Sequence, residues 1–170
     1  MKDEIATLIE PQIPALRRYA RGLLRDREAA DDLVQDTLER AVARWSLRRR
    51  DGDLKAWLFA IERNLFLDRL RQGTRRSVHI GGDVTDALPS PGPQPDGALG
   101  VQDVLVGLAD LPEEQRSVLL LVAIEDFSYE AASKLLNVPV GTIMSRLSRA
   151  RHRMRNFAET GRIVALRRVK

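Results

Sequence analysis

The sequence predicts an all-α chain folded as two small helical domains joined by a flexible linker, on three observations. Apolar residues recur three and four apart through both halves, the spacing that gives a helix one buried face. No segment shows the strict alternation that a half-buried strand requires. Residues 73–100 hold four of the eight prolines and six of the eleven glycines, a composition that sustains neither a helix nor a central strand. The expected boundaries are 3–72 for the first domain, 73–100 for the linker, 101–160 for the second domain and 161–170 for a basic tail.

In the first domain, residues 12–25 place Ile13, Leu16, Tyr19, Ala20, Leu23 and Leu24 at helical intervals. Asp26 is a suitable N-cap for the next helix, with Glu28 in its first turn, where the helix dipole favours negative charge. That second helix carries Ala30, Leu33, Val34, Leu38, Ala41, Val42 and Trp45 in phase. A charged loop, Arg48 to Asp53, follows. From Leu54 a third pattern sets Trp57, Leu58, Ile61 and Leu65 on one face, and Phe59 and Phe66 fall elsewhere. Trp57 and Phe59 are possible stacking partners for bases, but the phase of Trp57 with Leu58 and Ile61 favours the core.

The second domain opens with a helix from about Val101 to Ala109. Pro112 with Glu113 and Glu114 starts another, whose Val118, Leu119, Leu121, Val122 and Ile124 are expected in the core. Ser128 is an N-cap, Asn137 suits the left-handed residue that ends a helix, and Pro139 starts the next. Two helices so joined form a helix-turn-helix. In the last helix Ile143, Leu147, Ala150, Met154 and Phe157 make an apolar face, while Thr142, Ser145, Arg146, Arg149 and Arg153 lie on another. From Val140 onward there are nine Lys/Arg and one acid, Glu159. A helix that packs on one side and presents arginines and hydroxyls on the other suits a grooved polyanion: arginine bonds guanine bidentately, and hydroxyls take phosphate.

Charge is segregated although the net is only +4. Asp26 to Arg40 holds six acids against two arginines, and Arg44 to Arg76 ten basic residues against four acids, so more than one charged partner is expected. The lack of cysteine excludes disulfides, thiol catalysis and cysteine–zinc sites. Only His79 and His152 offer imidazole, far apart in sequence. The N-terminus has no apolar signal-peptide core, and the longest apolar run, Val118 to Ile124, is too short to span a bilayer. A cytoplasmic protein that is not an enzyme and needs no cofactor or metal is expected. The acids Asp31, Asp32 and Asp36 have nothing near them in sequence to complete a coordination sphere.

Four segments, taken in order, resemble a sigma factor of the extracytoplasmic-function (ECF) group, across nearly the whole chain. ADDLVQDTLERAVARW (Ala30 to Trp45) resembles the helix that grips the clamp helices of RNA polymerase, and LKAWLFAIERNLFLDRLRQ (Leu54 to Gln72) the promoter-melting helix. LPEEQRSVLLL (Leu111 to Leu121) and FSYEAASKLLNVPVGTIMSRLSRAR (Phe127 to Arg151) resemble the domain that reads the upstream promoter element. The resemblance implies a region 2 helical bundle and a region 4 helix-turn-helix domain. Its implied partners are core RNA polymerase, promoter DNA and an anti-sigma factor.

The resemblance also implies site residues. Asp31, Asp32, Leu33, Gln35, Asp36 and Glu39 would meet the coiled coil of the largest polymerase subunit. Arg48, Arg49 and Arg50, in the loop from about Ser46 to Asp53 where a flipped base is captured, and Asn64, Asp68, Arg69 and Arg71 would face the downstream element. Gly141, Thr142, Ser145, Arg146, Arg149 and Arg151 match positions that approach the upstream element, with Arg149 the base reader and Thr142 and Arg146 on phosphate or the groove edge. Met144 and Ser148 share that surface, where many relatives carry Lys or Arg in place of the first and some carry a larger residue in place of the second. In the family the linker runs through the RNA exit path, where Asp83, Asp86 and Asp96 would imitate nucleic-acid charge; a passive spacer is an equal reading. The alternatives are a sigma-like decoy that sequesters an anti-sigma factor, usually joined to a receiver domain, and an ordinary helix-turn-helix regulator or recombinase.

Overall fold

Eight α-helices and no strand occupy the described residues of the computed structural model, which are 2–80 and 100–167, with side chains described for 3–73 and 100–160. They are α1 (Lys2–Ile9), α2 (Ile13–Leu23), α3 (Arg27–Ala43), α4 (Leu54–Ile80), α5 (Val101–Ala109), α6 (Glu113–Leu119), α7 (Tyr129–Leu136) and α8 (Val140–Arg167). The expected role of Asp83, Asp86 and Asp96 lies outside the described residues.

In the first half, α2, α3 and α4 pack side by side around Leu16, Tyr19, Leu33, Leu58 and Phe59, all fully buried. Asp26 caps α3 as its sequence predicts, accepting from the Glu28 N–H at 3.0 Å. The helix α1 was not legible; its Ile5 and Ile9 add two turns of buried apolar surface ahead of α2. Pro11 and Pro14 break the chain between them, leaving a short 3-10 turn at Glu10–Gln12. At the other end α4 passes Gln72 and runs to Ile80. Gly73 costs the helix about 1 kcal/mol, too little to end it, so residues 73–80 are helix rather than linker.

In the second half, Ser128 accepts from the Ala131 N–H at 3.0 Å and caps α7, and Asn137 ends it at φ 54° and ψ 48°. Pro139 stands as the N-cap residue of α8, its carbonyl accepting from the Thr142 N–H. The expected apolar face of α8 is buried, with Ile143, Leu147 and Ala150 fully enclosed. After α6, residues Leu120–Ile124 wind as a wide π turn, closed by the Glu125 N–H on the Leu120 carbonyl at 3.0 Å. This wider winding shifts the phase of the apolar stripe, so Ile124, expected in the core, is 41% exposed. The expected basic tail is, up to Arg167, a continuation of α8.

The two halves share one interior. Phe59 of α4 sits between Tyr19 of α2 and Phe127 of the second half, with both ring-centroid distances at 5.1 Å. Arg18 binds Glu125 through two hydrogen bonds of 2.9 and 3.0 Å, and Lys55 donates to the Glu125 carbonyl while lying over Phe127. Arg116 of α6 donates to the Leu23 carbonyl, satisfying the end of α2. Gly22 is needed at this seam: a Cβ there would stand 2.4 Å from Leu120 Cδ2.

Candidate nucleic-acid and polymerase interfaces

The recognition-type helix α8 presents a row of outward groups because its opposite stripe is locked into the core. Gly141, Ser145, Ser148, Arg149 and Arg151 are exposed, and Met144 is 54% exposed. Thr142 is half-buried at the helix start, and its carbonyl accepts from the Ser145 hydroxyl at 3.1 Å. Arg146 departs from the expected picture. Its Nη2 lies 3.3 Å from Glu114 of α6, with only a fifth of the side chain exposed, so it ties α8 to α6. Arg149 has no such partner among the described residues and extends from the same helix into solvent. Beside this row, Tyr129, Met144, Leu147, Ser148, Arg151 and Arg155 line a concavity of about 330 Å³. Arg155 and Tyr129 were not among the sequence candidates; the i, i+4 spacing of Arg151 and Arg155 was the available signal.

At the far end of the first half, Trp45–Leu47 form a single 3-10 turn. The indole of Trp45 meets that of Trp57 edge-on at 6.0 Å, and the Arg48 guanidinium lies 4.9 Å from the Trp45 ring centre. Arg48 Nη1 also donates to the carbonyls of Arg49 and Gly52. Arg48 therefore builds the loop from inside, and Arg49 and Arg50 are the exposed cations there. Trp57 is half-buried under this loop, and Phe59 is a core residue, so neither is an open stacking surface. On α4, Asn64 is exposed and Arg71 pairs with Asp68 at 3.5 Å on the surface. Arg69 bonds Asp36 at 2.7 Å and the Ala29 carbonyl at 3.0 Å, which makes it a brace between α4 and α3.

The acidic helix α3 divides in the same way. Leu33 is fully buried and so supports the face from beneath instead of forming part of it. Asp36 is held by Arg69, and Asp31 lies 3.8 and 3.9 Å from Arg17 and Arg21. Asp32, Gln35 and Glu39 remain as an outward strip, with Gln35 donating to Glu39 at 3.0 Å. Val42, 49% exposed, continues it one turn further on. Among the described residues no three acids or histidines are placed to hold a metal ion, and no helix is long and apolar enough to cross a membrane.

The seam contains a further group that the sequence did not single out. Glu62 of α4 is wholly buried, and neither carboxylate oxygen has a partner among the described residues. Burial, and secondarily the charge of Glu125, push its carboxyl up to about 9. Glu113 moves the other way. Burial works to raise it, but hydrogen bonds from Arg63 and Ser117 hold it below the ordinary carboxylate range. An acid inside a helical face whose apolar neighbours are in phase carries no distinguishing sequence signal.

Two family models match the chain: residues 9–62 the sigma2 domain of PhyR, and residues 102–154 region 4 of sigma-70. The ECF RNA polymerase sigma factor EcfG of Rhodopseudomonas palustris is 37% identical over 154 residues, covering 91% of this chain and 84% of that protein. This chain belongs to the ECF group of RNA polymerase sigma factors. As a sigma factor it binds core RNA polymerase and directs promoter-specific transcription initiation.

Solved structures agree with the assignment. The sigma factor RpoE of Bartonella quintana, crystallised with the anti-sigma factor NepR, matches with a TM-score of 0.78 at 34% identity, over 94% of this chain and 98% of that one. The PhyRSL–NepR complex of Sphingomonas sp. Fr1 matches with a TM-score of 0.65 at 26% identity, over 89% and 87% of the two chains. In this sigma factor the region 2 match falls on α2, α3 and the first part of α4, and the region 4 match on α5 to α8.

Proposed function

We propose that this sigma factor reads an upstream promoter element with the exposed row of α8 and opens a downstream element with the loop that follows α3. The observation that carries the reading is the separation of structural from outward-facing cations. Arg146, Arg48 and Arg69 are engaged by the protein, whereas Arg149, Arg151, Arg49 and Arg50 face solvent on two distinct surfaces. Arginines without internal work, on a helix N-terminal half and on a loop tip, suit groove edges and phosphates. The strip Asp32, Gln35, Glu39 is the polymerase contact in this reading, its charge steering a basic helical partner. An anti-sigma factor, of the kind crystallised with the Bartonella relative, would hold the protein in reserve by covering these faces, and all of this takes place in the cytoplasm, where polymerase works.

A second reading is a decoy that captures an anti-sigma factor and never meets DNA; the match of residues 9–62 to the PhyR model favours it. Reconstitution separates the two. The protein is mixed with core polymerase and a promoter library at fixed salt, and transcripts are sequenced. Initiation from a defined promoter subset supports the sigma reading. Tight capture of an anti-sigma protein with no polymerase binding and no transcripts supports the decoy.

A further inference from the structure

Met144, Ser148, Arg151 and Arg155 follow one another along α8 at intervals of four, three and four residues, so they share one stripe of its surface. With Leu147 and Tyr129 of α7 they line the concavity of about 330 Å³. No acid lines it, and neither arginine has an ionic partner among the described residues. Met144 is 54% exposed, so its thioether is open to solvent beside these cations. Met154 differs: it is half-buried and packs against Gly107 and the core. The chain has no cysteine, so no thiol of its own competes for an oxidant.

A methionine thioether accepts one oxygen atom from a two-electron oxidant and becomes a polar sulfoxide. A cationic concavity discriminates among such oxidants, because it concentrates an anion and leaves a neutral peroxide unaffected. We propose that Met144 is a modification site for hypochlorite, drawn into the concavity by Arg151 and Arg155, and that the resulting sulfoxide weakens reading of the upstream element. In net terms an S–O bond forms, the O–Cl bond breaks and chloride leaves. Sulfur loses the two electrons that chlorine gains, and no proton is left over. The inference rests on α8 as the upstream reader and adds a control over that face. A thioether suits the methyl group of thymine, whereas a sulfoxide oxygen only accepts hydrogen bonds. It therefore has no partner on phosphates or on the acceptor edge of guanine.

The test treats the full-length protein with limiting hypochlorite at mildly alkaline pH, where the oxidant is anionic, and follows the Met144 and Met154 peptides by mass spectrometry. Met144 should gain oxygen about tenfold faster than Met154, and high salt should slow it about threefold by screening the arginines. Arg151→Gln with Arg155→Gln should slow it similarly at low salt, while oxidation by hydrogen peroxide should ignore both changes. Quenched protein is then given untreated core polymerase and a promoter carrying the upstream element. Treated wild type should transcribe about fivefold less than untreated, and a methionine sulfoxide reductase should restore it. Met144→Leu, compared with its own untreated level, should lose less than about twofold. Oxidation of Met144 no faster than Met154, or indifferent to salt and to both arginines, overturns the guided site. Unchanged transcription after full oxidation of Met144, or an equal fractional loss in Met144→Leu, overturns the control. Untreated wild type that supports no transcription overturns the promoter reading itself, a result distinct from either.

Discussion

Arg63 on α4 donates to Glu113 on α6 at 2.6 Å, and to Ser117 at 2.7 Å, so one guanidinium joins the region 2 and region 4 halves of the chain. Ser117 in turn donates to the same Glu113 oxygen at 2.7 Å. The Arg63 side chain is nine-tenths buried, which removes most solvent screening from the pair. Removing one member strands the other. Arg63→Ala is expected to cost about 3 kcal/mol in urea unfolding, and the double variant with Glu113→Gln less than the two single changes added together. Additive losses would show that the two groups do not act as a pair.

Glu62 gives the seam a pH dependence. Its carboxyl is held near 9 when buried and returns to the ordinary value, about 4.3, when the chain unfolds. Between those values the folded state keeps a proton that the unfolded state releases. Its contribution to stability is therefore fully present below the unfolded value and is lost as pH rises toward 9, at up to about 1.4 kcal/mol per pH unit. Glu62→Gln removes the titration. Thermal midpoints recorded from pH 6 to 9 should fall more steeply for the wild type than for the variant, and parallel curves would contradict the assignment.

Much of this was legible in the chain itself, and the failures share a physical cause. Asp26, Ser128 and Asn137 announce their roles because capping depends on one residue and its immediate backbone. The buried stripe of α8 follows from periodicity, and so does its outward row. Partners far apart in sequence were not legible. The internal partners of Arg146, Arg69 and Arg48 could not be read because Glu114, Asp36 and the loop carbonyls that engage them are set by tertiary packing. Leu33 lies beside acids in sequence yet faces inward, and the π turn that moves Ile124 outward has no composition signal. Separation of arginines with internal partners from arginines that face solvent is what the fold adds.

Gly22 tests how tightly the halves are joined. Leu120 fills the space where a side chain would begin, and it is itself buried. Gly22→Val should cost about 1–3 kcal/mol by overpacking and loosen the seam, while α7 and α8 keep their own contacts. The chain contains no cysteine, so one added to each half gives clean sites for paired dyes. Energy transfer between them should fall in the variant, and unchanged transfer with unchanged stability would mean that the seam accommodates the added volume.

The outward row of α8 is the point on which the account of promoter choice depends. Run-off transcription by the reconstituted holoenzyme, from templates randomised through the upstream element, measures it directly. Arg149→Ala should lose about 1–3 kcal/mol of discrimination at one or two base positions and leave the rest of the preference intact. Arg146→Ala, whose side chain is paired with Glu114, should leave the pattern of preference unchanged. A uniform loss across all templates with Arg149→Ala, or no loss at all, would contradict the assignment of this helix face to base recognition.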